Sequence, residues 1–120
     1  MDVFASDKSG EGQHQRVVRE KGQWKGEVVR TLHVGSQPEG CVVDDAGERL
    51  FLGEEDVGVW VTSASARTAT PFESVMKIGP YLHDDVEGLA IYYGRTDGKA
   101  ITAMWCWMLK RLVPTVALSV

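Results

Sequence analysis

Pro38-Glu39-Gly40-Cys41-Val42-Val43 and Val86-Glu87-Gly88-Leu89-Ala90-Ile91 repeat one pattern, a Glu-Gly pair that opens a short apolar run. Each copy then meets a glycine turn, at Gly47 and Gly98, followed by a second apolar run. The two glutamates stand 48 positions apart. A period of roughly forty to fifty residues is the length of one four-stranded propeller blade. Equivalent positions in consecutive blades are related by rotation about the propeller axis. If the Glu-Gly pair opens the innermost strand of each blade, Glu39 and Glu87 point toward the same end of the central channel. There they come within reach of a shared ion. In a sandwich the same two positions would have no reason to converge.

Outward from this repeat, short β-rich runs separated by glycine and aspartate turns dominate the first hundred residues. The pattern predicts strands at Gln15–Arg19, Glu27–Val34, Cys41–Val43, Arg49–Gly53, Val57–Ser63, Val75–Ile78 and Leu89–Tyr93. Asp7-Lys8-Ser9-Gly10, Lys21-Gly22, Asp45-Ala46-Gly47 and Thr96-Asp97-Gly98 suit tight turns between them. Strands this short and closely spaced argue for a sandwich, barrel or propeller rather than βαβ units. No amphipathic helix precedes residue 100.

With 120 residues, 43% hydrophobic and 25% charged, the chain fits one globular domain. Seventeen acidic residues against 13 basic ones leave a net charge of −4. Asp44, Asp45, Glu48, Glu54, Glu55 and Asp56 crowd together, opposed only by Arg49. Such a segment repels a phosphate backbone, so no nucleic-acid partner is expected. It attracts divalent cations instead, although an acidic run is also what an ordinary solvated face looks like. Cys41 and Cys106 form no framework, and Cys41, inside an apolar run, reads as a small buried side chain. No basic-then-apolar leader opens the chain. Lys110, Arg111 and Pro114 interrupt the apolar stretch after Ala100, so no membrane span is expected. No specific protein partner is expected either.

Gly53-Glu54-Glu55-Asp56 sets three carboxylates in a row at a strand end, and their repulsion costs stability unless a cation compensates. Calcium suits them, taking about six to eight oxygen ligands in flexible geometry. Zinc would want nitrogen or sulfur. His14, His33 and His83 have no zinc-site spacing and read as ordinary surface or turn residues. A second cluster, Asp84-Asp85-Val86-Glu87-Gly88, puts Asp85 and Glu87 on one face of an extended backbone. A solvated turn before a strand is the alternative, and the repeat with Glu39 weakens it.

These motifs, in this order, resemble the β-propeller phytases, the calcium-dependent alkaline 3-phytase family. The resemblance runs through Gly35-Ser36-Gln37-Pro38-Glu39-Gly40, Val43-Asp44-Asp45, Leu52-Gly53-Glu54-Glu55-Asp56 and Val59-Trp60. It continues in Asp85-Val86-Glu87-Gly88-Leu89-Ala90-Ile91-Tyr92-Tyr93 and Asp97-Gly98-Lys99, and upstream in Asp7-Lys8-Ser9-Gly10-Glu11 and Val28-Val29-Arg30. It implies an all-β chain, about two blades of a six-bladed propeller roughly three times this length. It further implies calcium ions at one end of the channel that bind phytate, myo-inositol hexakisphosphate. A calcium-bridged water then attacks phosphorus without a phospho-enzyme intermediate. Glu39, Glu55 and Glu87 match the family's calcium-site carboxylates, on which catalysis depends, with Asp56 and Asp85 as further metal ligands. Lys8 matches a phosphate-binding lysine, although without the family it would read as an ordinary turn residue. The resemblance implies a secreted or periplasmic setting.

The resemblance ends near Lys99. Residues 1–99 read as a partial propeller domain and 100–120 as a divergent tail, as a shifted reading frame or truncated gene would produce. Met104, Trp105, Trp107, Met108 and Leu109 have no evident place in a blade. The loop Ser63–Pro71 also differs from the family's glycine-rich loop. With most ligands on other blades, the chain alone is expected to be inactive. Two other readings stay open: a lactonase-type calcium propeller, which would need one central ion and no Lys8, and a non-enzymatic binding module with acidic rim decoration.

Overall fold

The computed structural model describes residues 1–68, 70–108 and 118–119. Their strands are β1 (Asp2–Ser6), β2 (Glu11–Glu20), β3 (Gln23–His33), β4 (Pro38–Asp44), β5 (Arg49–Glu54), β6 (Gly58–Ser63), β7 (Glu73–Lys77), β8 (Val86–Thr96), β9 (Lys99–Met108) and β10 (Leu118–Ser119). Among the described residues there is no helix, and so none long and apolar enough to cross a membrane. Three antiparallel sheets follow in chain order: β1-β2-β3, β4-β5-β6-β7 and β8-β9-β10. The turns have the predicted chemistry. Lys21-Gly22 and Asp97-Gly98 close β2–β3 and β8–β9 with positive φ at both residues, as a two-residue hairpin requires.

Each sheet is a meander whose first strand lies inward. β4 packs alongside β8 and also meets β1, so the leading strands of the three sheets are neighbours. That is the arrangement of propeller blades around an axis, and the chain forms part of a propeller. Two glycines permit the closest approach. A Cβ at Gly40 would stand 2.2 Å from the carbonyl oxygen of Glu87, and one at Gly53 would stand 2.8 Å from Cγ1 of Val86.

The central blade is buried on both faces, which explains the near-continuous apolar run of β5. Leu50 and Leu52 turn toward the first sheet and share a crevice with Phe4, Leu32 and Cys41. Phe51 turns the other way and forms the core with Val59, Leu82 and Val86, flanked by Val42, Met76, Leu89 and Ile91. Polar links join the blades as well. From β3, Arg30 donates through Nε to Nδ1 of His14 (3.3 Å) and through its terminal nitrogen to the carbonyl of Ser63 on β6. From β8, the Tyr93 hydroxyl donates to Asp44 on β4 (2.7 Å).

Several sequence expectations are corrected. A strand, β1, precedes the first predicted one, and β2 and β3 extend beyond the predicted limits because they pair along their whole lengths. His14 is fully buried rather than on the surface, stacked on Phe4 with ring centroids 4.3 Å apart and with Nε2 3.2 Å from Asp2. Cys41 is exposed rather than buried, and the crevice walls desolvate its thiol and push its pKa up. Met104 to Met108 do have a place in a blade, as part of β9 opposite β8, with Met104 paired to Ile91 and Trp107 to Gly88. Leu109 lies outside the described residues.

Candidate functional site

Antiparallel pairing sends the β1–β2, β3–β4, β5–β6 and β7–β8 connections to one end of the sheets. All the candidate site residues lie there. Glu39 and Glu87 occupy equivalent positions in a stricter sense than the repeat alone could tell. The ladder of β4 with β5 slips between Pro38 and Gly40, and that of β8 with β9 slips between Val86 and Gly88. Each glutamate is therefore the extra residue of a β-bulge, a device that re-aims a side chain at the rim of a sheet.

Glu55 sits between these two segments. Its amide donates to the carbonyl of Gln37 (3.0 Å), just before β4, and its own carbonyl accepts the amides of Asp85 (3.0 Å) and Val86 (3.2 Å), at the start of β8. Asp85 holds φ at +72°, in the left-handed region, with most of its surface buried. This backbone arrangement gathers carboxylates. Partial burial, then the charges of Asp56, Glu39 and Asp85 and a hydrogen bond with Asp85, push the Glu55 carboxyl above its usual range. The side-chain amide of Gln37 donates to Glu39. Glu87 is half-buried, with its carbonyl against Gly40, and its carboxylate is not among the charges that act on Glu55.

The run of three acids is not a single cluster. Glu54 points into the protein, 2% exposed, accepting the hydroxyl of Ser36 (2.6 Å) and the indole N–H of Trp60 (2.7 Å). Asp44, Asp45 and Glu48 lie at the other end of β5, about 20 Å away at strand rise. Asp44 is buried there, bound by Arg49, Tyr93 and the amide of Gly47. Sequence proximity mixed two structural acids with the solvent-facing ones.

Lys8 is exposed in the β1–β2 turn. Asp7 shapes that turn by accepting the Ser9 amide (2.8 Å), the Ser9 hydroxyl (2.6 Å) and the Glu11 amide (3.3 Å), which hold its carboxyl below the usual range. The turn is joined to the β3–β4 connection by the Val34 amide, which donates to the Gly10 carbonyl (2.9 Å). Among the described residues Lys8 has no ion-pair or hydrogen-bond partner, and the structure brings it to the same end as the carboxylates without contact.

The donors that gather around Glu55 are carboxylate oxygens, the kind a hard divalent cation takes. Among the described residues, no group of three or more acids, histidines or cysteines is arranged to hold an ion by itself. At the opposite end a cavity of about 800 Å³ opens between the first two sheets, lined by Arg16, Asp45, Glu48, Ser65 and Arg67. It contains none of Lys8, Glu39, Glu55, Asp56, Asp85 and Glu87.

The sequence model of the phytase family matches residues 3–104 of this chain. The chain belongs to the phytase family. A curated relative, the 3-phytase of Bacillus subtilis (strain 168), is 36% identical over 93 residues, which cover 76% of this chain and 24% of that protein. This phytase-family chain thus spans about a quarter of its relative's length. The family match reaches residue 104, inside β9 and beyond the Lys99 limit read from the motifs.

Proposed function

We propose that this chain carries part of a calcium-dependent phytase site, acting on the phosphate monoesters of myo-inositol hexakisphosphate. The observation that carries the proposal is the backbone of Glu55, which ties the segment before Glu39 to the segment bearing Asp85 and so gathers their carboxylates around its own. Partly desolvated and facing Asp56, Glu39 and Asp85, Glu55 marks a concentration of negative charge, which pushes its carboxyl above the usual range. Such a site repels a polyanion unless cations invert its charge. Glu39, Glu55, Asp56, Asp85 and Glu87 would hold calcium. When bound, it would supply positive charge for phosphate binding and acidify water for attack on phosphorus. The chain's own contribution is to hold these carboxylates at one rim, through the two bulges and the Glu55 backbone. Lys8, unpaired at the same rim, would contact a phosphate.

Calcium reaches its usual coordination with about six to eight oxygens, more than these side chains place around one point. The isolated chain should therefore bind calcium weakly and leave phytate intact. The relative's name, 3-phytase, and the match to the phytase family support the substrate assignment. The test is isothermal calorimetry with calcium, alongside phosphate release from phytate with the Bacillus enzyme as comparator. Binding that disappears in Glu55→Gln, without turnover, is the expected result. No calcium-dependent heat in the unsubstituted chain would refute the metal reading.

A further inference from the structure

Glu54 lies next to the site without belonging to it. Its carboxylate is 2% exposed, and a buried carboxylate is costly unless its oxygens are hydrogen-bonded. Each oxygen has one donor, Ser36 Oγ on Oε1 at 2.6 Å and Trp60 Nε1 on Oε2 at 2.7 Å. No cation pairs with it among the described residues. Gly35 leaves little room around Oε1, since a Cβ there would stand 3.3 Å away.

The two donors come from different parts of the rim. Trp60 is on β6, after the turn that carries Glu55 and Asp56. Ser36 is in the β3–β4 connection, one residue before Gln37, whose carbonyl takes the Glu55 amide. Its own carbonyl also lies against Gly10 of the Lys8 turn, where an added Cβ would stand 2.9 Å away. One buried side chain therefore joins the segment bearing Glu39 to the segment bearing Glu55, and its donor Ser36 lies against the support of Lys8. Glu54 is the last residue of β5, so fixing it inward anchors the point from which the turn bearing Glu55 and Asp56 starts.

We infer that Glu54, held by Ser36 and Trp60, is a positioning residue that sets the spacing of Glu39, Glu55 and Asp85. The inference rests on the proposed cation site for its functional meaning and on the hydrogen bonds alone for its geometry. A metal site depends on the groups that orient its ligands, and losing one such group weakens metal binding by about tenfold or more. The substitutions divide by hydrogen-bonding capacity. Trp60→Phe and Ser36→Ala each remove one donor. Ser36→Thr keeps the hydroxyl. Glu54→Gln can still accept from the indole, while its amide donates to Ser36, whose hydroxyl accepts as readily as it donates.

The test is amide hydrogen exchange on the 120-residue chain, with calcium affinity measured on the same variants. In Trp60→Phe and Ser36→Ala, the Asp85 and Val86 amides, which donate to Glu55, should exchange about tenfold faster. The Phe51, Leu52 and Val61 amides of the central blade should keep their protection. Calcium affinity should fall about tenfold in the same two variants and be retained in Ser36→Thr and Glu54→Gln. Uniform loss of protection, or unchanged exchange at Asp85 and Val86, would overturn the inference by making Glu54 a purely structural contact. If the unsubstituted chain binds no calcium, the site reading fails, while the exchange pattern still decides the positioning role.

Discussion

The carbonyl oxygen of Glu55 accepts the amide of Asp85 at 3.0 Å, linking the end of one blade's second strand to the entry of the next blade's first. Side chains at the two positions are both acidic, so the backbone attraction and the like-charge repulsion felt by Glu55 act on the same pair. The backbone bonds hold the carboxylates together against a field that pushes them apart, and the predictions below follow from that opposition and from the links between blades.

Glu55→Gln removes one charge while keeping the side chain's shape. Without calcium, the variant should melt slightly above the unsubstituted chain, because Asp56, Glu39 and Asp85 then face a neutral amide. With calcium the order should reverse, since a ligand that binds only the folded form stabilises in proportion to its affinity. Thermal melts of both proteins in calcium and in chelator check this. A variant less stable than its parent in chelator would contradict it.

The Asp44–Tyr93 link should show at both ends of the pH scale. Burial alone would push the Asp44 carboxyl up, but hydrogen bonds from Tyr93 and Arg49 prevail and hold it below the usual range. Its stabilisation is therefore present above the unfolded carboxylate pKa of about 3.9 and is lost as pH falls through the lower folded value. The bond to Asp44 raises the Tyr93 hydroxyl. That contribution is complete below the unfolded tyrosine pKa of about 10 and fades as pH rises through the higher folded value. In urea melts across pH, Tyr93→Phe should flatten the alkaline limb, and Asp44→Asn should flatten both limbs at a cost of about 2 kcal/mol near neutrality.

Glycine replacements should separate close approach from ordinary strand position. Gly40→Ala sets a methyl against the Glu87 carbonyl, a backbone atom that moves only if β4 and β8 part. A loss of about 3 kcal/mol is expected. Gly12→Ala meets nothing closer than 3.5 Å and should change stability by less than about 1 kcal/mol. Denaturant midpoints for the two variants provide the comparison.

Arg30→Lys should loosen the first blade from the second. The guanidinium reaches His14 and the Ser63 carbonyl at once, and an ammonium has no planar fork with which to do the same. Hydrogen exchange should speed up at Ser63 and along β3 before it does in the core around Phe51. Equal protection in both proteins would show that the blades are held by Leu50 and Leu52 alone.

The sequence showed the blade architecture because the feature that positions the site is itself repeated. Glu39-Gly40 and Glu87-Gly88 recur where each blade's leading strand bulges, and at Gly40 the neighbouring blade's backbone comes close. The division of the acids was not legible. Glu54 and Glu55 are adjacent in sequence, yet one faces Trp60 and the other the rim. Which is which depends on Ser36, eighteen residues earlier. His14 looked like a surface residue because its surroundings, Phe4 and Arg30, come from two other strands. The strand after Lys99 was not read from the motifs. Its residues pair along β8 all the same, because a ladder is made by backbone groups that every non-proline residue carries.

The two bulges make the acidic residues separable from the scaffold that bears them. In β4, Pro38 pairs with Glu54 and Gly40 with Gly53, so Glu39 occupies no rung of its own. In β8, Val86 pairs with Met108 and Gly88 with Trp107, and Glu87 is likewise supernumerary. Excising either residue outright would bring its neighbours onto consecutive rungs and leave a regular hairpin. At these two places a deletion is gentler on the fold than it would be at any laddered position. A lineage could discard the acid, or acquire it by a single-codon insertion, while every other pairing in the blade stayed where it was.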